Sequence, residues 1–235
     1  MKKNNIFSGV ISLHFYISLL LVVLLAVGSC AEPKTNDLSD NDPENINNEA
    51  SVKITLPLAF NLPFEVRETS GLVFYNGKLW THNDSNHLPI IYAIDTATAE
   101  VVNRITLTNA VNVDWEEITM DDTYLYIGDF GNNRGTRTDL GIYRIPLEYL
   151  HHEGDVDVEA AYIGFSYPDQ TSFESGNSHN FDCEAFIAYN DNLYLFSKNR
   201  GDQHTKLYRL PAQPGTYVAD LIDTFNSKGL ITGST

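Results

Sequence analysis

The chain is short of cysteine and of positive charge, and each shortage removes a class of behaviour. Cys30 and Cys183 are its two cysteines. Cys30 is assigned below to another role, so no intrachain disulfide is expected. Lys and Arg number 15 against 31 Asp and Glu, a formal net charge of −16. Nucleic-acid binding uses Lys and Arg to displace counterions from phosphates, so no nucleic-acid partner is expected. No Gly-x-Ser-x-Gly elbow, Walker loop or Rossmann fingerprint occurs, and neither does His-Glu-x-x-His or Cys-x-x-Cys spacing. Serine-hydrolase, nucleotide and zinc-site chemistry therefore lack a motif. What is present is core material: 43% hydrophobic and 11% aromatic residues, with 13 Tyr and 12 Phe in 235 positions. That suits one globular domain and is too aromatic for a disordered chain or a coiled coil.

Lys2 and Lys3 precede an apolar run from Ile11 to Gly28, broken only by Ser12, His14 and Ser18. The pattern is that of a secretory signal. Leu24 to Cys30 resembles the lipobox of bacterial lipoproteins, which implies cleavage before Cys30 and lipidation of that residue. The alternative is an uncleaved helix near the lower length limit for ~30 Å of hydrocarbon. Ala31 lacks the Asp that retains such proteins at the inner membrane, which points to the outer membrane. Residues 31–50 hold six acids and one base, 1 − 6 = −5, and little to bury. They read as an extended tether. The expected organisation is a signal peptide over 1–29, a lipidated Cys30 and acidic tether over 30–51, and a folded part over 52–235. The expected location is the bacterial envelope, with the membrane as a partner through the lipid.

Three segments align without gaps, starting at Ser70, Glu116 and Glu184. Leu72, Ile118 and Phe186 each precede Leu79, Leu125 and Leu193 by seven residues, and Asn76-Gly77, Asp121-Asp122 and Asn190-Asp191 supply turn chemistry between them. A third strand follows in each copy (Ile91–Ile94, Ile142–Ile145, Leu207–Leu210), then a fourth apolar or alternating run. Four strands repeated three times predict the four-stranded antiparallel blades of an all-β propeller, over about 66–108, 112–166 and 180–226, with the start of a fourth. A β-sandwich is the alternative. Propellers close with four to eight blades, so the chain is expected to be incomplete at its C-terminus. Val52 to Leu58 fits an outer strand completing the last blade of a closed ring.

In this topology the start of strand one and the loop after strand two share an end, and the charged residues gather there. The candidate metal or ligand residues are Asp114, Glu116, Glu117, Asp129, Asn132, Asn133, Asp182 and Glu184. A candidate ligand loop adds His82, Asn83, Asp84, Lys198, Asn199 and Arg200. An oxygen-rich carboxylate set suits a hard cation such as Ca²⁺. The same carboxylates read structurally as acceptors for neighbouring backbone amides. Lys198 and Arg200 suit an anion or a solvated loop. Trp115 and Cys183 read as packing residues.

Asn83-Asp84-Ser85, Asp114-Trp115-Glu116-Glu117-Ile118, Gly128-Asp129-Phe130-Gly131-Asn132-Asn133 and Asp182-Cys183-Glu184-Ala185 resemble phrases of exported bacterial six-bladed propellers. These are related in style to the phytase-like, SdiA-regulated and SMP-30/gluconolactonase-like groups. The resemblance covers about 66–235 and implies a site at a channel mouth, which in some relatives binds Ca²⁺ and hydrolyses phosphoesters or lactones. The expected function is a lipid-anchored propeller that binds a ligand or protein partner through an acidic, loop-rich face. The alternative is a Ca²⁺-dependent hydrolase.

Overall fold

A computed structural model describes residues 60–234; the leader, Cys30, the tether and the Val52–Leu58 run lie outside them. The first aligned segment forms β1 (Thr69–Tyr75), β2 (Lys78–Asn83), β3 (Ile90–Asp95) and β4 (Val101–Leu107). The second forms β5 (Trp115–Met120), β6 (Tyr124–Asp129), β7 (Gly141–Pro146), β8 (Val156–Val158) and β9 (Ala161–Ser166). The third forms β10 (Cys183–Tyr189), β11 (Asn192–Ser197), β12 (Thr205–Pro211), β13 (Gly215–Val218) and β14 (Asp220–Phe225).

The turns between the first two strands are where the local chemistry asks for them. Asn76 and Gly77 both have positive φ (49° and 75°), as do Asn190 and Asp191 (48° and 59°). Two positive φ values in a two-residue loop match the twist of the flanking strands. Between β5 and β6 the Asp121 carboxylate instead accepts hydrogen bonds from the Thr123 and Tyr124 amides, both at 2.7 Å.

The strands form three sheets, in the orders β1-β2-β3-β4-β8, β5-β6-β7-β9-β13 and β10-β11-β12-β14. The hairpin and meander pairings are antiparallel, whereas β8 joins β4 and β13 joins β9 in parallel. Alternation along the strands decides the layering. Trp80, Ile91, Ala93, Ile105 and Leu107 of the first sheet pack on Trp115, Ile118, Leu125, Ile127 and Ile145 of the second. The intervening residues of the second sheet, Tyr126, Ile142, Ile163 and Phe165, pack with Phe130 on Phe186, Leu193, Leu195, Tyr208 and Leu210 of the third. The second sheet is therefore buried on both faces. On the far face of the first sheet, Tyr92 and Ile94 are covered by Val66, from a short 3₁₀ turn at Phe64–Val66.

The fold is all-β, but the expected β-propeller is corrected. Among the described residues the three sheets are separate and open, and they do not close into a ring. The four-stranded blade is also not the unit, because the first and second sheets each carry a fifth, parallel strand drawn from the following segment. The repeat spacing fixed hairpins and anchors, which are local, and closure is a property of how the end sheets meet.

Leu125 is fully buried between the first and second sheets, whereas Leu88 is 70% exposed. Leu125→Ala is expected to cost about 3 kcal/mol in urea denaturation, and Leu88→Ala less than about 0.5 kcal/mol. Equal costs would contradict this layering.

Candidate functional site

The first strand of each sheet contains the same irregularity. Pairing slips by one residue between Ser70 and Leu72 in β1, between Trp115 and Glu117 in β5, and between Cys183 and Ala185 in β10. A bulge of this kind kinks the strand and re-aims its side chains. The extra residues are Gly71, Glu116 and Glu184, and Gly71 takes the φ of +58° that its lack of Cβ permits.

The bulges set the fates of two adjacent glutamates. Glu117 turns to the chain's own backbone, its carboxylate accepting from the Ile118 amide (3.0 Å) and the Ser234 amide (2.8 Å). Glu116 turns to a junction of loops. There Asp84, Asp114 and Glu116 bring carboxylate oxygens within 4.8 Å of one another, and so do Glu116, Asp182 and Glu184. Five carboxylates thus form a chain with Glu116 in the middle. Asp84 follows β2, Asp114 precedes β5 and Asp182 precedes β10, so all three sheets contribute.

The two halves of this chain are balanced differently. Lys198 Nζ donates to Glu184 Oε1 at 2.6 Å, and Arg200 Nη2 lies 2.7 Å from Asp182 Oδ2 and 3.6 Å from Glu184 Oε1. Among the described residues no Lys, Arg or His pairs with Asp84, Asp114 or Glu116. The one side chain that donates to this half is Asn133, whose Nδ2 lies 3.3 Å from Asp114 Oδ2 while its Oδ1 accepts from Arg200 at 2.6 Å. Burial pushes Glu116 up to about 9, helped by the negative charges of Glu184 and Asp114. Burial also lifts Asp114 to about 6, with Asp84 adding to it. Glu184 is raised by burial as well, but the hydrogen bond from Lys198 opposes the shift. Gly131 closes over these groups: a methyl there would sit 2.2 Å from Glu116 Oε1 and 2.4 Å from Asp114 Oδ2.

The surrounding residues are framework. Arg137 Nη1 donates to Asp129 Oδ1 and to the Gly131 carbonyl, both at 2.9 Å, and Asp129 Oδ1 also accepts from the Asp114 amide at 3.0 Å. Asn132 ties the second sheet to the third, its amide donating to Asp182 Oδ1 at 2.8 Å and its Nδ2 to the Phe181 carbonyl at 3.0 Å. Asn112 Nδ2 donates to the carbonyls of Asn83 (3.0 Å) and Asp84 (2.8 Å), and its Oδ1 accepts from the Trp115 amide (3.2 Å).

Of the residues singled out from sequence, the structure gathers Asp84, Asp114, Glu116, Asp182, Glu184, Asn133, Lys198 and Arg200. It does not bring the rest into the cluster. Asn83 holds the Glu65 carbonyl, and Asn199 is fully buried against Ser197 and Asp202. His82 is buried edge-on to Trp115, and burial lowers its imidazole to about 4. Asp129, Asn132 and Glu117 serve backbone and Arg137, as described. Arg137, Asn112 and Gly131 were missed by sequence reasoning. Gly131 carried a signal, its place in the Gly-Asp-Phe-Gly phrase, whereas Asn112 and Arg137 had none.

Compared with known proteins, the chain matches no family model and no curated protein. The resemblance to exported propeller lipoproteins is corrected accordingly, and the lipoprotein and outer-membrane assignments gain no support from it. Among the described residues no helix is long and apolar enough to cross a membrane. Without a closed ring there is no channel mouth. Both expected functions, the propeller binding through a loop-rich face and the Ca²⁺-dependent hydrolase working at that mouth, fall with it.

A raised carboxyl makes stability depend on pH. Metal-free, folded Glu116 keeps its proton up to about 9, whereas the unfolded chain loses it near the ordinary 4.5. Its favourable contribution is complete below 4.5 and is lost as pH rises through 9. In chelator, Glu116→Gln is therefore expected to melt about 3 to 6 °C above the parent at pH 8.5, with the gap narrowing towards pH 5. Parallel melting profiles across that range would count against the crowded placement of Glu116.

Proposed function

We propose that this protein binds a divalent cation, Ca²⁺ foremost, between its first and second sheets at Asp84, Asp114 and Glu116. The observation that carries this reading is the unequal balance of the carboxylate chain. Three acids converge within 4.8 Å with no cationic partner, beside a second trio already served by Lys198 and Arg200. With every acid ionised, as ligation of an ion would require, two cations face five carboxylates, 2 − 5 = −3, so a doubly charged ion reduces the excess that the Glu116 proton relieves in its absence. The donors are oxygens throughout, including the Asn133 amide nearby, and hard cations with flexible coordination prefer such a set. Zinc and copper are disfavoured, because His82 is turned into the core and His87 is paired with Glu68 at 2.9 Å.

Bound there, the ion would draw Asp84, which follows β2, towards the two acids at the start of β5. It would act as a staple between sheets. A ligand that binds the native state raises its melting temperature. Millimolar Ca²⁺ is expected to raise the Tm of the full chain by about 5 °C. In calorimetric titration Asp114→Asn should weaken binding at least about tenfold, a loss of about 1.4 kcal/mol, whereas Lys198→Met should leave an affinity within about threefold. No Ca²⁺-dependent shift, or equal losses in the two variants, would overturn the assignment.

From the sequence alone we also propose export and attachment to the bacterial envelope through a lipid on Cys30. Supporting it are the paired lysines, the apolar run and the small residues before Cys30. Palmitate labelling of cells making the full chain should mark it, and Cys30→Ser should abolish the label. Unlabelled parent protein would refute attachment.

A further inference from the structure

Glu117 lies just past the bulge of β5 and outside the acid cluster, and it is only 4% exposed. Among the described residues it has no Lys, Arg or His partner. Its carboxylate accepts instead from backbone amides of Ile118 (3.0 Å), Ser234 (2.8 Å) and Leu72. An ionised carboxylate offers about four acceptor sites, so capacity remains for a further donor. Burial raises this carboxyl above its ordinary value, and a cation brought against it would favour the charged form.

Glu117 lines a cavity of about 500 Å³ together with Gly71, Leu72 and Ser234. Gly71 lets the carboxylate approach β1, since a methyl there would sit 2.9 Å from Glu117 Oε1. Leu72 and Ser234 also line a second cavity, of about 410 Å³, so the two adjoin. The second is a groove with apolar walls: Leu72, Phe74 and Leu79 of the first sheet on one side, Ile118 and Met120 of β5 on the other. Leu72 and Phe74 are 48% and 61% exposed, and Met120 is half-buried.

Small-molecule sites of this kind are mostly apolar, with a few polar groups that fix orientation. Here the polar group is a buried acid without a basic partner. A ligand anion would meet that carboxylate at close range, and a wholly apolar ligand would leave it uncompensated. The complementary molecule has an apolar body and one ammonium group, which a carboxylate binds by charge-assisted hydrogen bonds. An aromatic body also suits the Met120 thioether.

We propose that the groove between β1 and β5 is a binding site for amphipathic amines, whose apolar body lies against Leu72, Phe74 and Met120 and whose ammonium donates to the Glu117 carboxylate. The site uses none of Asp84, Asp114 and Glu116, and it is tested in chelator.

Met1 and Met120 are the two methionines of the chain, so ¹³C-methyl methionine labelling places one of two reporters in the groove. In full-length chain held in non-ionic detergent, titration with phenethylammonium is expected to move the Met120 methyl signal by ring current and to saturate, while Met1 stays in place. Hydrocinnamate carries the ring with the opposite charge and ethylammonium carries the charge without the ring; each should bind at least about tenfold more weakly. Glu117→Gln should weaken phenethylammonium at least about tenfold, and Phe74→Ser, at an exposed position that leaves the fold intact, at least about threefold. Asp114→Asn should leave the affinity within about threefold, which separates the groove from amines that merely collect at the acid cluster. An unmoved Met120 signal, equal binding of hydrocinnamate, indifference to Phe74→Ser, or a loss in Asp114→Asn as large as that in Glu117→Gln would each overturn the proposal.

Discussion

Four hydrogen bonds converge at the start of β5, and the relation of the first two sheets depends on them. Asn112 accepts from the Trp115 amide, and Asp129 accepts from the Asp114 amide. The Asp114 carbonyl accepts from Gly131, and the Glu116 carbonyl accepts from Ser70 Oγ at 2.6 Å. The last of these reaches across to β1. A strand that begins with a bulge leaves backbone groups without their regular ladder partners. The side chains of Asn112, Asp129 and Ser70 and the Gly131 amide supply them, and so fix the backbone that carries Asp114 and Glu116.

This arrangement concentrates charge at a cost that the cores on either side offset. Glu116 is lifted to about 9 mainly by burial, with four neighbouring carboxylates adding to the shift. Beneath it, large side chains are completely enclosed: Trp80 and Trp115 on one side of the second sheet, Phe130 and Phe186 on the other. Burying each contributes about 2 to 3 kcal/mol. With apolar layers on both faces of the second sheet, burial favours the protonated form of Glu116 and Asp114. Arg137 belongs to the same economy of charge: it is tied to Asp129 and the Gly131 carbonyl, and it opposes the upward shift of Asp114 without pairing with it.

Legibility from sequence followed the range of the interaction. Asn76-Gly77 and Asn190-Asp191 announced their turns because positive φ is a local demand. The seven-residue anchors announced hairpins, since Leu72, Ile118 and Phe186 pair near Thr81, Ile127 and Leu195. Asp114, Glu116, Asp182 and Glu184 were legible as a group because they hold the same place, the start of strand one, in two aligned segments. What separates Glu116 from Glu117 was not legible, because a bulge decides it and nothing local marks which residue is extra. Ring closure was misread for a related reason. Repetition reports that sheets are alike and says nothing about whether the end sheets meet. The parallel additions of β8 and β13 escaped notice because three or four residues leave no periodic signal in a chain that otherwise alternates.

The two carboxylate trios share Glu116, yet they are not equivalent, and the difference originates in the loops after β2 and β11. The loop after β11 runs Lys198-Asn199-Arg200, with Asn199 buried and pinned to Asp202, so the flanking Lys198 and Arg200 project onto Glu184 and Asp182. The loop after β2 starts with Asp84, whose carbonyl is held by Asn112, and it brings an acid to the place where the third sheet brings bases. The same backbone position in two repeats therefore supplies opposite charge to one junction. The half facing the third sheet is balanced within the chain by Lys198 and Arg200. Among the described residues the half facing the first sheet has no basic partner, only the Asn133 amide beside Asp114. A cation at the second trio would have to displace Lys198 and Arg200 from partners at 2.6 and 2.7 Å, so the proposed ion is better accommodated at the first. Those pairs are partly buried, where removing one member leaves an uncompensated charge. The bases would thus confine the proposed ion to the boundary between the first and second sheets, and Lys198 and Arg200 balance the acids beside the third sheet without it.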